Sequence, residues 1–251
     1  MLERVDYDVR QHAVYSAGRA LPEGSARLWS AVFARWAGAP NPLTVLDLGS
    51  GTGRFTPILA DTFGGQVYGV EPAGRMREQA APHPRVEYLA GSAEAIPLPD
   101  QACDVVLLFL VFHHVVDRPR AVAEIRRVLR PGGRVLIRSA FSDRMPDLLW
   151  HRFFPGARDV EQRMFPTVAE VTGLFEDAGL AVLGLDRIRE TVATDLAAYA
   201  ERLRLRAIST FEHLTEEEIR RGFAALDLAV AAGDIQVPVT MDSDLLVLGD
   251  S

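Results

Sequence analysis

Apolar positions along this chain follow two rhythms. Leu28, Trp29, Val32, Phe33 and Trp36 recur at three- and four-residue intervals, which gathers them on one face of a helix. Ser25 stands where it would cap that helix, and Gly38 and Pro40 where they would close it. From residue 44 onward short apolar runs alternate with amphipathic stretches, the pattern of βαβ units around a parallel sheet. The runs predict strands over 44–48, 67–70, 86–90, 104–110 and 134–138. Helices are expected over 55–63, from Pro72, and from Asp117. The last of these turns Val122, Ile125, Val128 and Leu129 inward and stops at Pro131-Gly132-Gly133.

A helix over 168–178 ends at Gly179 and leads into a sixth strand over 181–188. Two more helices precede a short last strand over 245–248. Thr194 is placed to cap the first, which carries Leu196, Tyr199 and Leu203. Thr215 and Glu218 form a capping box for the second, which carries Ile219, Phe223, Leu226 and Val230. Helices inserted here cannot pair into the sheet, so their apolar stripes require another surface. That surface is either the mouth of a site, with the helices as its lid, or a second subunit. The chain reads as one α/β domain with a doubly wound, mostly parallel seven-stranded sheet, N-terminal helices and an inserted helical cap.

Hydrophobic residues make up 48% of the 251 positions, which excludes a disordered chain. The longest apolar run, 105–112, falls far short of the roughly 20 residues needed to cross a bilayer. The opening Leu2-Glu3-Arg4-Val5 predicts no secretory leader. A single cysteine, Cys103, excludes an internal disulfide framework and a cysteine-rich metal site. A cytoplasmic enzyme without a membrane partner is expected. The net charge of −7 argues against nucleic acid, whose binding rests on positive charge. Arg126, Arg127 and Arg130 read as the solvated side of one helix.

The candidate chemistry lies in Val45-Leu46-Asp47-Leu48-Gly49-Ser50-Gly51-Thr52-Gly53, a buried strand that runs into a glycine-rich turn and then a helix. Glycines serve where the backbone turns tightly and approaches a ligand, at the carboxyl ends of the strands. Glu71 follows about 20 residues later, where a carboxylate accepts hydrogen bonds from ribose hydroxyls. A dinucleotide fingerprint starting at Gly49 requires glycine at position 54; Arg54 stands there and the third glycine is Gly53. That spacing disfavours a nicotinamide-dependent oxidoreductase, the alternative enzyme class.

The run from Val45 to Phe55 resembles motif I of the class I S-adenosylmethionine-dependent methyltransferases, and the likeness extends over most of the chain. Glu71-Pro72 resembles the family's ribose-binding acidic segment, and Gly91-Ser92-Ala93-Glu94 with Ile96-Pro97 the segment that contacts adenine. Asp104 to Asp117, with the pair His113-His114, is similar to motif IV of the small-molecule branch that includes ubiquinone and menaquinone biosynthesis methyltransferases. Leu129-Arg130-Pro131-Gly132-Gly133 matches the helix-to-strand turn that follows it. The resemblance implies a Rossmann-like fold, with S-adenosyl-L-methionine as cofactor and S-adenosyl-L-homocysteine as product. It implies a cofactor site built from Asp47, Gly49, Ser50, Gly51, Glu71, Pro72, Met76, Ser92, Ala93, Glu94, Phe109 and Leu110. Tyr15 and Arg19 resemble an N-terminal element that closes over the methionine end of the cofactor. The domain then divides into an N-terminal cap (1–40), a cofactor-binding core (41–190), a helical insert (191–234) and the last strand (235–251).

Leu108-Phe109-Leu110-Val111-Phe112 replaces the Asn/Asp-Pro-Pro-aromatic tetrad of enzymes that methylate exocyclic amines of bases, which argues against DNA. No Asp/Glu/His triad resembles the metal site of catechol-type enzymes, so no metal is expected. His113 and His114 are candidates for a general base, with Tyr7 beside them; the histidines could equally only shape their loop. Phe141, Trp150, Phe153, Phe154 and Phe165 either line a pocket for a flat acceptor or pack the cap. The expected activity is methyl transfer to a small, aromatic or heteroaromatic metabolite by a monomer or homodimer. A non-catalytic S-adenosylmethionine-binding sensor would carry the same binding motifs.

Overall fold

A computed structural model describes Gly18 and residues 21–22, 24–38, 40–235 and 237–250. Seven strands form one sheet: β1 (Leu43–Leu48), β2 (Gly64–Glu71), β3 (Val86–Ala90), β4 (Cys103–Phe109), β5 (Leu129–Ser139), β6 (Ala181–Ala193) and β7 (Val239–Gly249). Their order is β3-β2-β1-β4-β5-β7-β6. The first five pair in parallel, and β7 runs antiparallel to both β5 and β6. This is a Rossmann-like α/β fold. The chain winds outward from β1 in one direction and from β4 in the other, so a crevice opens between the carboxyl ends of these two strands.

Alternation along the strands divides the core into two layers. Val45, Val105, Leu107, Leu136 and Val247 face Trp29, Val32 and Phe33 of helix α1 (Ser25–Trp36) and Leu59 and Phe63 of α2 (Thr56–Phe63). Leu46, Val106, Leu108, Val135 and Ile137 face the opposite layer. There α4 (Arg118–Val128) supplies Val122 and Ile125, and α6 (Val168–Asp177) supplies Val171 and Phe175. The short α3 (Gly74–Arg77) follows β2. It starts after Ala73, because Pro72 lies in the bend that leaves the strand.

Several expectations are corrected. Ser25 is not a cap; Gly24 holds that position in a left-handed conformation, and the buried Ser25 hydroxyl donates to Glu190 at 3.0 Å. Asp195, not Thr194, caps α7 (Leu196–Arg204): its carboxylate accepts from Ala198 N–H at 2.8 Å. The helix from Asp117 ends at Val128, and Leu129 already pairs with Cys103 as the first residue of β5. Strands β6 and β7 extend well beyond the predicted runs, because each supplies the other's hydrogen bonds where polar residues break the apolar pattern.

Helix α5 (Pro155–Met164) forms where the apolar pattern predicts no helix. With the 3-10 turn Leu149–Arg152, α7 and α8 (Glu216–Ala231), it encloses a core of its own. Trp150, Phe154, Leu196, Leu203, Phe211 and Ile219 fill it, with Phe223 packed at its edge. The apolar stripes of the inserted helices are thus covered within the chain. The aromatic residues resolve the same way. Trp150 and Phe154 lie inside this second core, Phe153 packs against it, and Phe141 belongs to the sheet core.

Candidate functional site

The glycine turn that follows β1 is pinned to its neighbour strand. The N–H groups of Gly49 and Ser50 both donate to the carbonyl of Val70, at 2.7 and 3.1 Å. Gly49 has φ +76°, and a Cβ there would lie 2.6 Å from the Val111 side chain. Only glycine combines that left-handed backbone with so close an approach. At Gly53 (φ +69°) a Cβ would collide with the Tyr88 hydroxyl.

Glu71, the last residue of β2, faces this turn. One carboxylate oxygen accepts from Gly51 N–H at 3.1 Å and the other from Ala73 N–H at 2.9 Å. Asp47 lies beneath the turn rather than in the open crevice. It is buried and accepts from the Thr56 hydroxyl at 2.7 Å. Burial pushes its carboxyl up to about 6, with Glu71 adding to the rise; Thr56 and Arg54 oppose it.

Above the turn lies a cavity with about 740 Å³ of free space, part of it open to solvent. Of the expected residues, Gly49, Gly51, Glu71, Pro72 and Met76 line it on one side, and Ser92, Ala93 and Glu94 on another. Leu110 and His114 line a third. Leu48, Val70, Val111 and Val115 join them; no motif marks these four, although each sits at a strand end or in the loop after β4. Ser50 is buried in the turn and Phe109 points away from the cavity. Phe109 is a strand residue facing the α1 layer, so its successor Leu110 faces the opening. Tyr7, Tyr15 and Arg19 lie outside the described residues.

Glu94 fixes the loop beyond β4. Its carboxylate accepts from Val116 and Asp117 N–H at 3.1 and 3.4 Å. Burial alone would raise this carboxyl. Hydrogen bonds from its own backbone, the Ser92 hydroxyl and these N–H groups outweigh burial and hold it below the usual range. The 3-10 turn Phe112–His114 anchors in the core through Phe112. The His113 and His114 rings are 3.9 Å apart, and His113 lies 4.3 Å from Phe165, behind the cavity wall. Among the described residues no group of three His, Cys, Asp or Glu could hold a metal ion. No described helix is long and apolar enough to cross a membrane.

A family model described as a methyltransferase domain matches residues 46–137. The 2-phytyl-1,4-naphtoquinone methyltransferase of Thermosynechococcus vestitus is 34% identical over 45% of this chain and 53% of its own length. An uncharacterized methyltransferase of Geobacillus kaustophilus is 30% identical over 55% of this chain and 68% of its own. The ubiquinone/menaquinone biosynthesis C-methyltransferase of Shewanella halifaxensis is 34% identical over 45% and 49%. The chain thus spans only about half the length of the first and third of these relatives.

Among solved structures, a protein from Anabaena variabilis ascribed to an antibiotic biosynthesis pathway as its methyltransferase superposes with a TM-score of 0.73 at 22% identity. That match covers 88% of this chain and 98% of the other. The [4+2]-cyclase SpnF superposes with a TM-score of 0.60 at 20% identity, covering 93% of this chain and 83% of the cyclase. These likenesses show a shared fold, and one fold serves more than one reaction.

Proposed function

This chain belongs to the class I S-adenosylmethionine-dependent methyltransferases, and on that footing we propose that it methylates a small, flat, largely apolar metabolite, aromatic or heteroaromatic. The observation that carries the reading is the position of Glu71 opposite the glycine turn, at the rim of a cavity. The surrounding residues fit the cofactor. Glu71 is the carboxylate for its ribose hydroxyls, and Met76 and Ala93 give apolar contact for its adenine. We take residues 41–190 with the last strand as the binding half of a single domain, and residues 191–234 as its cover.

When bound, S-adenosylmethionine supplies a methyl group made electrophilic by a positively charged sulfur. The chain's own part is to align the acceptor, keep water out and receive any proton the acceptor loses. His114, on the cavity wall, is the residue for that proton; His113 behind it and Tyr7 are the other candidates. The acceptor class is supported by the names of two relatives, one referring to a naphthoquinone and one to ubiquinone and menaquinone biosynthesis. We place the activity in the cytoplasm, without a nucleic-acid or membrane partner.

Calorimetry with S-adenosylhomocysteine and with a nicotinamide dinucleotide tests the site. One-to-one binding of the first alone is expected, and binding of the dinucleotide alone overturns the assignment. Incubation with methyl-labelled S-adenosylmethionine and a metabolite extract then separates transfer from binding. Label retained wholly on the cofactor, despite binding, would leave a sensor.

A further inference from the structure

Behind the cavity wall a buried charge pair joins four elements. Arg138 of β5 and Glu190 of β6 are 3% and 5% exposed and form an ion pair. Arg138 also donates to the Ser243 hydroxyl of β7 at 3.2 Å. Glu190 accepts from the Ser25 hydroxyl at 3.0 Å and the Trp29 indole N–H at 3.1 Å, both on α1. The Arg138 guanidinium stacks on two rings, 4.1 Å from the centre of Phe109 and 4.4 Å from that of Trp29. A buried ion pair is weak evidence for stability, since an apolar pair of similar volume serves as well or better. Its distinctive property is directional geometry.

The geometry here converges on the residues that turn β4 into the cavity wall. The Arg138 side chain lies on Phe109, and the Arg138 carbonyl accepts from Leu110 N–H at 2.9 Å. Leu110 has φ +59°, a left-handed conformation that a leucine keeps only where its surroundings enforce it. Leu110 and Val111 both line the cavity, and Val111 packs on Gly49 of the glycine turn. We propose that Arg138 and Glu190 are positioning residues: their clamp on Phe109 holds Leu110 left-handed and so sets the cavity wall against which the cofactor binds. The inference rests on the cavity being the cofactor site.

A double-mutant cycle read by S-adenosylhomocysteine calorimetry tests it. Glu190→Gln and Arg138→Lys are expected to fold, by circular dichroism, and to weaken binding about tenfold, the scale of one enforced left-handed residue. In a Leu110→Gly background, where the left-handed backbone needs no enforcement, Glu190→Gln should weaken binding less than about twofold. Leu110→Asn serves the same purpose if the glycine variant does not fold. If Glu190→Gln does not fold, Trp29→Phe removes one donor to Glu190 and keeps the aromatic face. It then enters the same cycle, with a loss of about threefold expected for one hydrogen bond.

Unchanged affinity in the clamp variants overturns the proposal. So does an equal loss in both Leu110 backgrounds, because a merely structural pair would weaken the site whatever stands at position 110. A wild-type chain that binds no S-adenosylhomocysteine overturns the reading of the cavity itself, and the clamp's role with it.

Discussion

Two carboxylates about the glycine turn differ because their surroundings differ. Glu71 bonds the Gly51 and Ala73 N–H groups at the cavity rim, whereas Asp47 lies beneath with the Thr56 hydroxyl. Replacing Glu71 by Ala removes a charge-assisted acceptor worth about 1.5–3 kcal/mol. Calorimetry should record at least about a tenfold loss of S-adenosylhomocysteine affinity in a folded protein. Asp47 should reveal itself through pH. Its carboxyl rises from an ordinary 3.8 to about 6 on folding, so between those values the folded state holds a proton that the unfolded chain has lost. Stability from this group is therefore full below pH 3.8, falls as pH rises towards 6, and is level above. The fall is on the order of 2–3 kcal/mol. Asp47→Asn should remove it, and urea unfolding of both proteins across that range measures the difference.

The histidines divide by position. His114 lines the cavity and His113 stacks behind it against Phe165. If His114 receives a proton in the reaction, His114→Gln lowers turnover by about 10²–10⁴-fold without abolishing cofactor binding. His113→Gln should cost less than His114→Gln. Single-turnover rates with labelled cofactor and the acceptor identified from extract provide the comparison, and equal small losses in both variants would assign the pair to loop shape alone.

At the scale of elements, capping chemistry separates legible signals from misleading ones. The Thr215–Glu218 and Thr167–Glu170 pairs both close capping boxes, and the first was evident from spacing alone. The start of α7 was not, because Thr194 and Asp195 are both good caps and adjacent. The backbone leaving β6 aims Asp195 at Ala198, and Thr194 instead bonds the Asp195 carboxylate at 3.2 Å. Asp195→Ala should lower stability by about 1 kcal/mol and Thr194→Ala by clearly less, as thermal melts would show. Ser25 misled for the converse reason: its hydroxyl answers a buried carboxylate 165 residues away.

For the molecule as a whole, the helices that follow β5 and β6 build a second core, separate from the two layers on the sheet. Phe154 is buried there among Trp150, Phe211 and Phe223. Phe154→Ala should cost about 3–5 kcal/mol. Hydrogen exchange should then rise first in α7 and α8 while the parallel strands stay protected. In the unaltered protein, protection of α7 and α8 should not fall on dilution, since both stripes are covered within one chain. A fall on dilution would instead show a homodimer.

The sequence by itself determined the parallel half of the sheet, the glycine turn, Glu71 and the loop bearing His113 and His114. These signals are local: side-chain alternation, left-handed glycine positions and a residue at a strand end all act within a few residues of the chain. Tertiary structure alone decided which of two neighbours faces the cavity, as with Phe109 and Leu110. It alone decided that Trp150, Phe153 and Phe154 fill a second core while Phe141 joins the sheet core, and that Arg138, Glu190, Ser25 and Ser243 meet behind the site. Those arrangements depend on contacts between distant segments. Apolar and charged residues find such partners by packing, and no spacing along the chain encodes which partner that will be.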